Sequence, residues 1–312
     1  MSGDRPDAAI HTRGLRRVYG DAVAVHGLDL TVAEGESFGF LGPNGAGKST
    51  TIGMLSTLLR PSAGQAAVAG IDVARRPDEV RRRIGVVFQD PTADRELTGW
   101  QNLSFHARLY GMSRRDVHAQ ARVLLEMVGL ADRGDAPVGT YSGGMRRRLE
   151  VARALMHRPR VLFLDEPTTG LDPQSRAQVW QKLHELGRQD GVTVFLTTHY
   201  LEEAEHCDRI AVMDHGRLVA QGTPHELKSA IGADVVRLRT GDDREAAKAI
   251  RERFGLDAEV GPDGVRVRTA DGARWVPRLC AQLTSGVTSV TVTRPSLDDV
   301  FLHHTGRSMR DS

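Results

Sequence analysis

Lysine is scarce in this chain: it occurs only at Lys48, Lys182, Lys228 and Lys248, and arginine carries nearly all the basic charge. That bias fits GC-rich coding and makes Lys48 conspicuous. Cysteine is scarcer still, with Cys207 and Cys280 far apart and without metal-type spacing. A disulfide scaffold and a cysteine-zinc cluster are thereby excluded, and the two thiols suit a reducing compartment. No run of eighteen apolar residues occurs, which excludes a membrane-spanning helix. Net charge is only +2 over 312 residues, so charge alone implies no nucleic-acid partner. Residues 1–9 are polar, lack an apolar signal core and read as a disordered tail. With 40% apolar and 26% charged residues, the rest is ordinary globular protein with room for two domains. A soluble, cytoplasmic protein is expected.

What is present begins with Gly42-Pro43-Asn44-Gly45-Ala46-Gly47-Lys48-Ser49-Thr50, which fits the phosphate-binding pattern G-x-x-x-x-G-K-[ST]. Ser37 to Leu41 before it reads as a short buried strand. Lys48 to Leu59 behind it carries Ile52, Leu55, Leu58 and Leu59 at helical spacing. The loop therefore opens a helix, whose free N–H groups and dipole favour an anion. Glycines let the backbone curl around phosphate oxygens. Lys48 adds a point charge for the β/γ-phosphates, and the Ser49 hydroxyl is placed for Mg²⁺.

Upstream, Arg13–Tyr19 and Val23–Val32 alternate about the turn Gly20-Asp21 and predict an antiparallel hairpin. Tyr19 on it either stacks on a nucleotide base or simply packs. Downstream, short strands are expected near 66–69 and 84–88, with a helix opening at Pro77 between them. Arg81-Arg82-Arg83 is a solvated face or a contact site. After Gln89 the pattern turns helical, and residues of about 90–156 read as a helical insert in an α/β domain. It ends in Tyr141-Ser142-Gly143-Gly144-Met145, where a capping serine and two glycines bare N–H groups at a helix start. This is a second anion site or an ordinary capped helix.

Val161 to Glu166 is an apolar strand ending in two carboxylates. Such a strand after a phosphate loop is the expected Mg²⁺ side of a nucleoside triphosphatase. Asp165 would act through the metal, and Glu166 would polarise an attacking water. Asp172-Pro173 caps a further helix, and Thr197-Thr198-His199 ends a buried strand near 192–196. Ligands of open sheets collect at such strand ends, so His199 faces the γ-phosphate or is structural. Strands at 209–213 and 217–220 follow, then a linker helix over 223–232. From 233 to 312 the elements run β-α-β-β-α-β, the ferredoxin-like order, without a catalytic constellation.

Tyr19, Gly42 to Thr50, Gln89, Ser142-Gly143-Gly144, Leu162 to Glu166, Asp172 and His199 together form an ordered series. It resembles the ATP-binding subunit of an ABC transporter over residues 10–222. Tyr141 and Met145 depart from the commoner L-S-G-G-Q signature. With Arg146-Arg147-Arg148 and the ending Pro295 to Leu302, they are similar to the daunorubicin/doxorubicin-resistance branch. The resemblance implies a P-loop α/β fold, ATP and Mg²⁺, and a head-to-tail homodimer. In that dimer Ser142, Gly143 and Gly144 meet the γ-phosphate held by the other subunit's Lys48, and Asp172 lies near the seam. Gln89 would touch Mg²⁺ or water and report to a separate multi-spanning permease, which the helical insert seats. The protein would then sit peripherally on the inner face of the membrane. It would drive efflux of a hydrophobic, drug-like compound, or export lipid, glycan or sodium by the same build. An importer subunit of the same build and a ribosomal or DNA-directed ABC ATPase are the remaining alternatives. No residue reads the cargo, and the role of the three arginines after the signature stays open between phosphate, seam and an exposed basic face.

Overall fold

In the computed structural model, residues 8–232, 234–261, 264–283 and 286–306 are described. Residues 1–7 of the expected tail lie outside them. Ala8 and Ala9 do not belong to a tail: strand β1 (Ala8–Tyr19) already includes them, and Ala9 and Ile10 are buried. The chain divides into two compact units between Gln221 and Gly222.

In the first unit β1 pairs antiparallel with β2 (Ala22–Ala33), joined through the Gly20-Asp21 turn, as the alternation predicts. β3 (Ser37–Leu41) leads into α1 (Lys48–Leu55). This helix stops earlier than its apolar spacing suggests. Thr57 takes a left-handed φ of 67°, and the Leu59 N–H turns back to the Gly53 carbonyl at 2.8 Å. Leu58, expected on the buried face, is therefore exposed. β4 (Ala63–Val68) and β5 (Ile71–Asp72) extend the hairpin into a four-stranded sheet of order β2-β1-β4-β5. α2 (Pro77–Arg81), with its proline in the first turn, precedes β6 (Ile84–Val87). Arg81, Arg82 and Arg83 are all exposed.

The helical insert follows as α3 (Gly99–Leu109), α4 (Arg114–Met127) and α5 (Gly143–Leu155), which pack on one another. Each start is capped by a hydroxyl, from Thr98, Ser113 and Ser142 in turn, accepting from the third backbone N–H beyond it. The chain then returns through β7 (Val161–Asp165), α6 (Pro173–Asp190), β8 (Thr193–Thr198), α7 (Leu201–Ala204), β9 (Arg209–Asp214) and β10 (Arg217–Gly222). The central sheet has the order β10-β9-β3-β8-β7-β6, and β9, β3, β8, β7 and β6 run parallel. Phe195 of β8 meets Phe38, Phe40 and Phe163, so the strands interlock through buried rings at 5.4–5.6 Å. The parallel strands deliver their carboxyl ends, and whatever those ends carry, to one edge of the unit.

The second unit contains α8 (Pro224–Ile231), β11 (Asp234–Thr240), α9 (Asp243–Phe254), β12 (Asp257–Gly261), β13 (Gly264–Thr269), α10 (Gly272–Gln282), β14 (Val287–Thr293) and α11 (Leu297–Thr305). Its sheet order, β12-β13-β11-β14, with antiparallel neighbours, is that of the ferredoxin-like fold. Val236, Leu238, Val265 and Val267 face Ala246, Ala247, Ile250 and Leu279 in its core. The helix over 224–231, expected as a linker, packs on α11 of the same unit.

Candidate active site

The phosphate loop fills the turn from β3 into α1, and two of its glycines are dictated by close approach. A side chain at Gly42 would stand 2.3 Å from the Met213 carbonyl oxygen. At Gly47 it would stand 2.5 Å from the Ala24 oxygen, at a φ of +103° that disfavours any other residue. Asn44 and Gly45 form the exposed crest, and Thr50 is half-buried in the first turn of α1. Lys48 points back under the loop, donating to the Gly42 and Pro43 carbonyls at 2.7 and 3.0 Å. Burial pulls its ammonium below the usual lysine range, against the pull of Glu166 and Asp165.

β7 ends beside it. Asp165 Oδ1 accepts from Ser49 Oγ at 3.2 Å and from Thr197 Oγ1 at 2.5 Å, because Asp165 and Thr197 are register partners on parallel strands. Glu166 takes a left-handed φ of 46°, a conformation that costs a non-glycine residue about 1–3 kcal/mol. Its carboxylate is the meeting point of the site. Lys48 Nζ lies 3.8 Å from it, Gln89 Nε2 donates at 3.4 Å and Thr169 Oγ1 donates at 3.3 Å. His199 Nδ1 stands 3.2 Å away, at ion-pair distance but without hydrogen-bond alignment. The four side chains expected to do chemistry, Lys48, Gln89, Glu166 and His199, are thus brought together. Gln89, expected to touch Mg²⁺ or water, turns to Glu166, while Ser49 and Asp165 touch each other directly.

A second group stands apart. Ser142 caps α5 by accepting from the Met145 N–H at 3.2 Å, with Gly143 exposed beside it. A side chain at Gly144 would meet Ser175 Oγ at 2.4 Å, in the first turn of α6, whose cap is Asp172. Hydrogen bonds from Ser175 hold the exposed Asp172 carboxyl below the usual range. Among the described residues no hydrogen bond or ion pair joins Ser142, Gly143, Gly144 or Asp172 to Lys48 or to the two carboxylates. Tyr19 remains exposed at the hairpin end with the Arg17 guanidinium 4.5 Å over its ring.

Each of the three arginines after the signature donates to backbone carbonyls. Arg146 donates to the Tyr141 carbonyl at 2.6 Å, Arg148 to that of Val128 at 2.8 Å, and Arg147 is buried among carbonyls. Burial pulls the Arg147 guanidinium below its usual range, against the charges of Glu150, Asp165 and Glu166. An exposed basic face is therefore excluded for Arg147, whose donors all point inward. Sequence reading also missed Glu203, which accepts from Thr168 and, at 2.7 Å, from Thr198, with Arg176 at 3.8 Å. It ties the turn after Glu166 to the strand end bearing His199. No local pattern marks Glu203, because Thr168 and Arg176 lie far from it along the chain.

Comparison with known proteins agrees with this geometry. Residues 25–169 match the ABC transporter family, and residues 222–305 match the C-terminal domain of DrrA1-3-like ATP-binding proteins. The daunorubicin/doxorubicin resistance ATP-binding protein DrrA of Streptomyces peucetius is 49% identical, over 98% of this chain and 95% of its own length. The Nod factor export ATP-binding protein I of Burkholderia lata is 43% identical, over 98% of this chain and all of its own. Among solved structures, cbiO1 of Clostridium perfringens, part of the cbiONQ ABC transporter complex, superposes with a TM-score of 0.67 at 28% identity. That likeness covers 80% of this chain and 96% of the other. A dimeric post-hydrolysis ATP-binding cassette bound to ADP and Pi gives 0.63 at 28% identity, over 69% of this chain and 98% of its own. On its site, its fold and this near-full-length identity, the chain belongs to the ABC transporter ATP-binding proteins, enzymes that hydrolyse ATP, in the branch with a DrrA1-3-like C-terminal domain.

Proposed function

We propose that this ATPase powers efflux of a hydrophobic, drug- or antibiotic-like compound through a separate membrane permease, working as a head-to-tail homodimer on the inner face of the membrane. The observation that carries the chemistry is the convergence of Lys48, Gln89 and His199 on the Glu166 carboxylate. Glu166 takes the role of orienting and deprotonating the attacking water, and His199 and Lys48 hold the γ-phosphate. Catalysis of this kind rests on positioning and charge stabilisation rather than on covalent steps.

The glycine-lined loop from Gly42 to Thr50 cradles the phosphates, and Tyr19 offers its ring to the base. Ser49 and Asp165 present a hydroxyl and a carboxylate side by side, hard oxygen donors that fit Mg²⁺. Held there, Mg²⁺ would supply neutralisation of phosphate charge. The separation of Ser142, Gly143, Gly144 and Asp172 from Lys48 supports a dimer in which this second group completes the partner's site. Among the described residues no helix is long and apolar enough to cross a membrane, which supports a separate permease.

The drug-efflux reading rests on likeness to the daunorubicin-resistance proteins. Likeness of similar extent to the Nod factor export proteins favours a second reading, export of a glycan- or lipid-like compound by the same machine. Both are tested by expressing Glu166→Gln in the native cell type with ATP and Mg²⁺, capturing it in mild detergent and identifying its companions. A multi-spanning membrane protein in stoichiometric amount is expected, and compounds are then assayed for transport through it. Ribosomal proteins or DNA in its place would overturn the transport reading.

A further inference from the structure

The arginine and glutamate at positions 147 and 150 lie one turn apart on α5, both buried, and grip the segment carrying Gln89 at both ends. Arg147 donates through Nη1 to the Phe88 carbonyl, directly before Gln89. Glu150 accepts from the Thr92 N–H at 2.9 Å, the Thr92 hydroxyl at 3.1 Å and the Ala93 N–H at 2.6 Å, three and four residues after it. The same guanidinium reaches across to β7. Its Nη2 donates to the carbonyls of Asp165 and Glu166 at 2.9 and 3.1 Å, and its Nε to that of Pro167 at 2.6 Å.

One buried cation thus holds four carbonyls drawn from both segments that supply the reacting groups. Those carbonyls include that of Glu166, whose left-handed φ turns it out of the strand. A buried guanidinium has to spend its donors on such acceptors, because leaving them unpaired is costly. The fork geometry of arginine suits several fixed carbonyls where a lysine ammonium would not.

We infer that Arg147, with Glu150, is a positioning residue: it registers Gln89 and Glu166 against α5, the helix whose N-terminus bears Ser142, Gly143 and Gly144. The inference rests on the proposed roles of Glu166 and of the head-to-tail dimer. In that dimer the start of α5 meets the nucleotide held by the partner. The clamp then links each subunit's water-activating carboxylate to the nucleotide at the other site. Binding the nucleotide in the subunit's own phosphate loop does not require it, because none of the four carbonyls belongs to residues 42–50.

The test compares Arg147→Gln, Arg147→Lys and Arg148→Gln in the full chain, purified with the membrane protein it captures, reading turnover, KM and fluorescent-nucleotide affinity. Among the described residues Arg148 bonds only the Val128 carbonyl, and it controls for loss of a cation from α5. Misplacing reacting groups by about 1 Å costs on the order of 100-fold, so Arg147→Gln should lose about that in kcat. Its nucleotide affinity should stay within about twofold of wild type, Arg147→Lys should fall between, and Arg148→Gln should match wild type. Wild-type turnover in Arg147→Gln, an equal loss in Arg148→Gln, or parallel loss of affinity and turnover would each overturn the inference. Should Arg147→Gln not fold, wild-type turnover in Arg147→Lys overturns it instead. Glu166→Gln in the same assay keeps the two questions separate: normal turnover there removes the role of Glu166, whatever Arg147 does.

Discussion

Lys48 Nζ and Glu166 Oε1 form a buried ion pair at 3.8 Å, linking the phosphate loop to the end of β7 across the floor of the site. The pair sets the lysine proposed to hold phosphate against the carboxylate proposed to activate water. Each is also the other's electrostatic competitor, so removing one changes what the other can do.

For Glu166→Gln the amide keeps the shape but removes the negative charge that draws on Lys48. ATP affinity should hold or rise, while turnover should fall by about 10²–10⁴-fold, the usual worth of a positioned base. Nucleotide binding and phosphate release measured on the same preparation check this. Near-normal turnover would remove Glu166 from the chemistry.

Lys48→Ala should abolish productive nucleotide binding, and Gly47→Ala should do the same by a different route. The new methyl at Gly47 meets the Ala24 carbonyl oxygen at 2.5 Å with φ at +103°, so the loop has to rebuild. Equilibrium binding of a fluorescent ATP analogue reads both. Normal affinity in either variant contradicts the loop geometry.

His106 in α3 lies against Tyr110, His157 and Arg153, and burial together with the nearby Arg153 cation pulls its pKa to about 4. Unfolded, it titrates near 6.5, so between those values the unfolded chain binds the extra proton. The neutral ring therefore contributes stability above pH 6.5 that is lost as pH falls toward 4, in total roughly 3 kcal/mol. His106→Phe should flatten that part of the acid-unfolding curve. An unchanged pH profile from 6.5 to 4 would show that folding does not lower the His106 pKa.

In the second unit, the Ser296 hydroxyl accepts from the Asp299 N–H while Asp299 accepts from the Ser296 N–H at 2.8 Å, a closed capping box on α11. Ser296→Ala should cost about 1 kcal/mol locally. Phe301→Ala, which empties a fully buried site on the same helix, should cost about 3–5 kcal/mol. Amide exchange in α11 and in α8, which packs on it, should rise modestly in the first variant and strongly in the second. Equal protection in both would deny the helix its packing role.

The glycine loop, the hydroxyl cap of α5, the apolar strand ending in Asp165 and the β-α-β-β-α-β order were legible in the sequence. Each rests on neighbours within a few residues: a left-handed glycine, a side chain reaching the third N–H beyond it, or a period of two or 3.6. Where the local signal failed, a contact outside the regular period had overridden it. The apolar period carried α1 on to Leu59, but Leu59 folds back onto Gly53 and leaves Leu58 exposed. The polar start hid Ala8 and Ala9, which the pairing of β1 draws into the sheet.

The chemistry-bearing residue types and their order along the chain were therefore settled by the sequence itself. Tertiary structure decided how they meet. Thr197 lies 32 residues from Asp165 and Arg147 lies 59 from Phe88, and only the parallel register and the buried face of α5 bring each pair together. Three successive arginines look alike in one dimension. Burial distinguishes them, because a guanidinium taken out of water has to find carbonyls, and the fold offers Arg147 those that hold the site in shape.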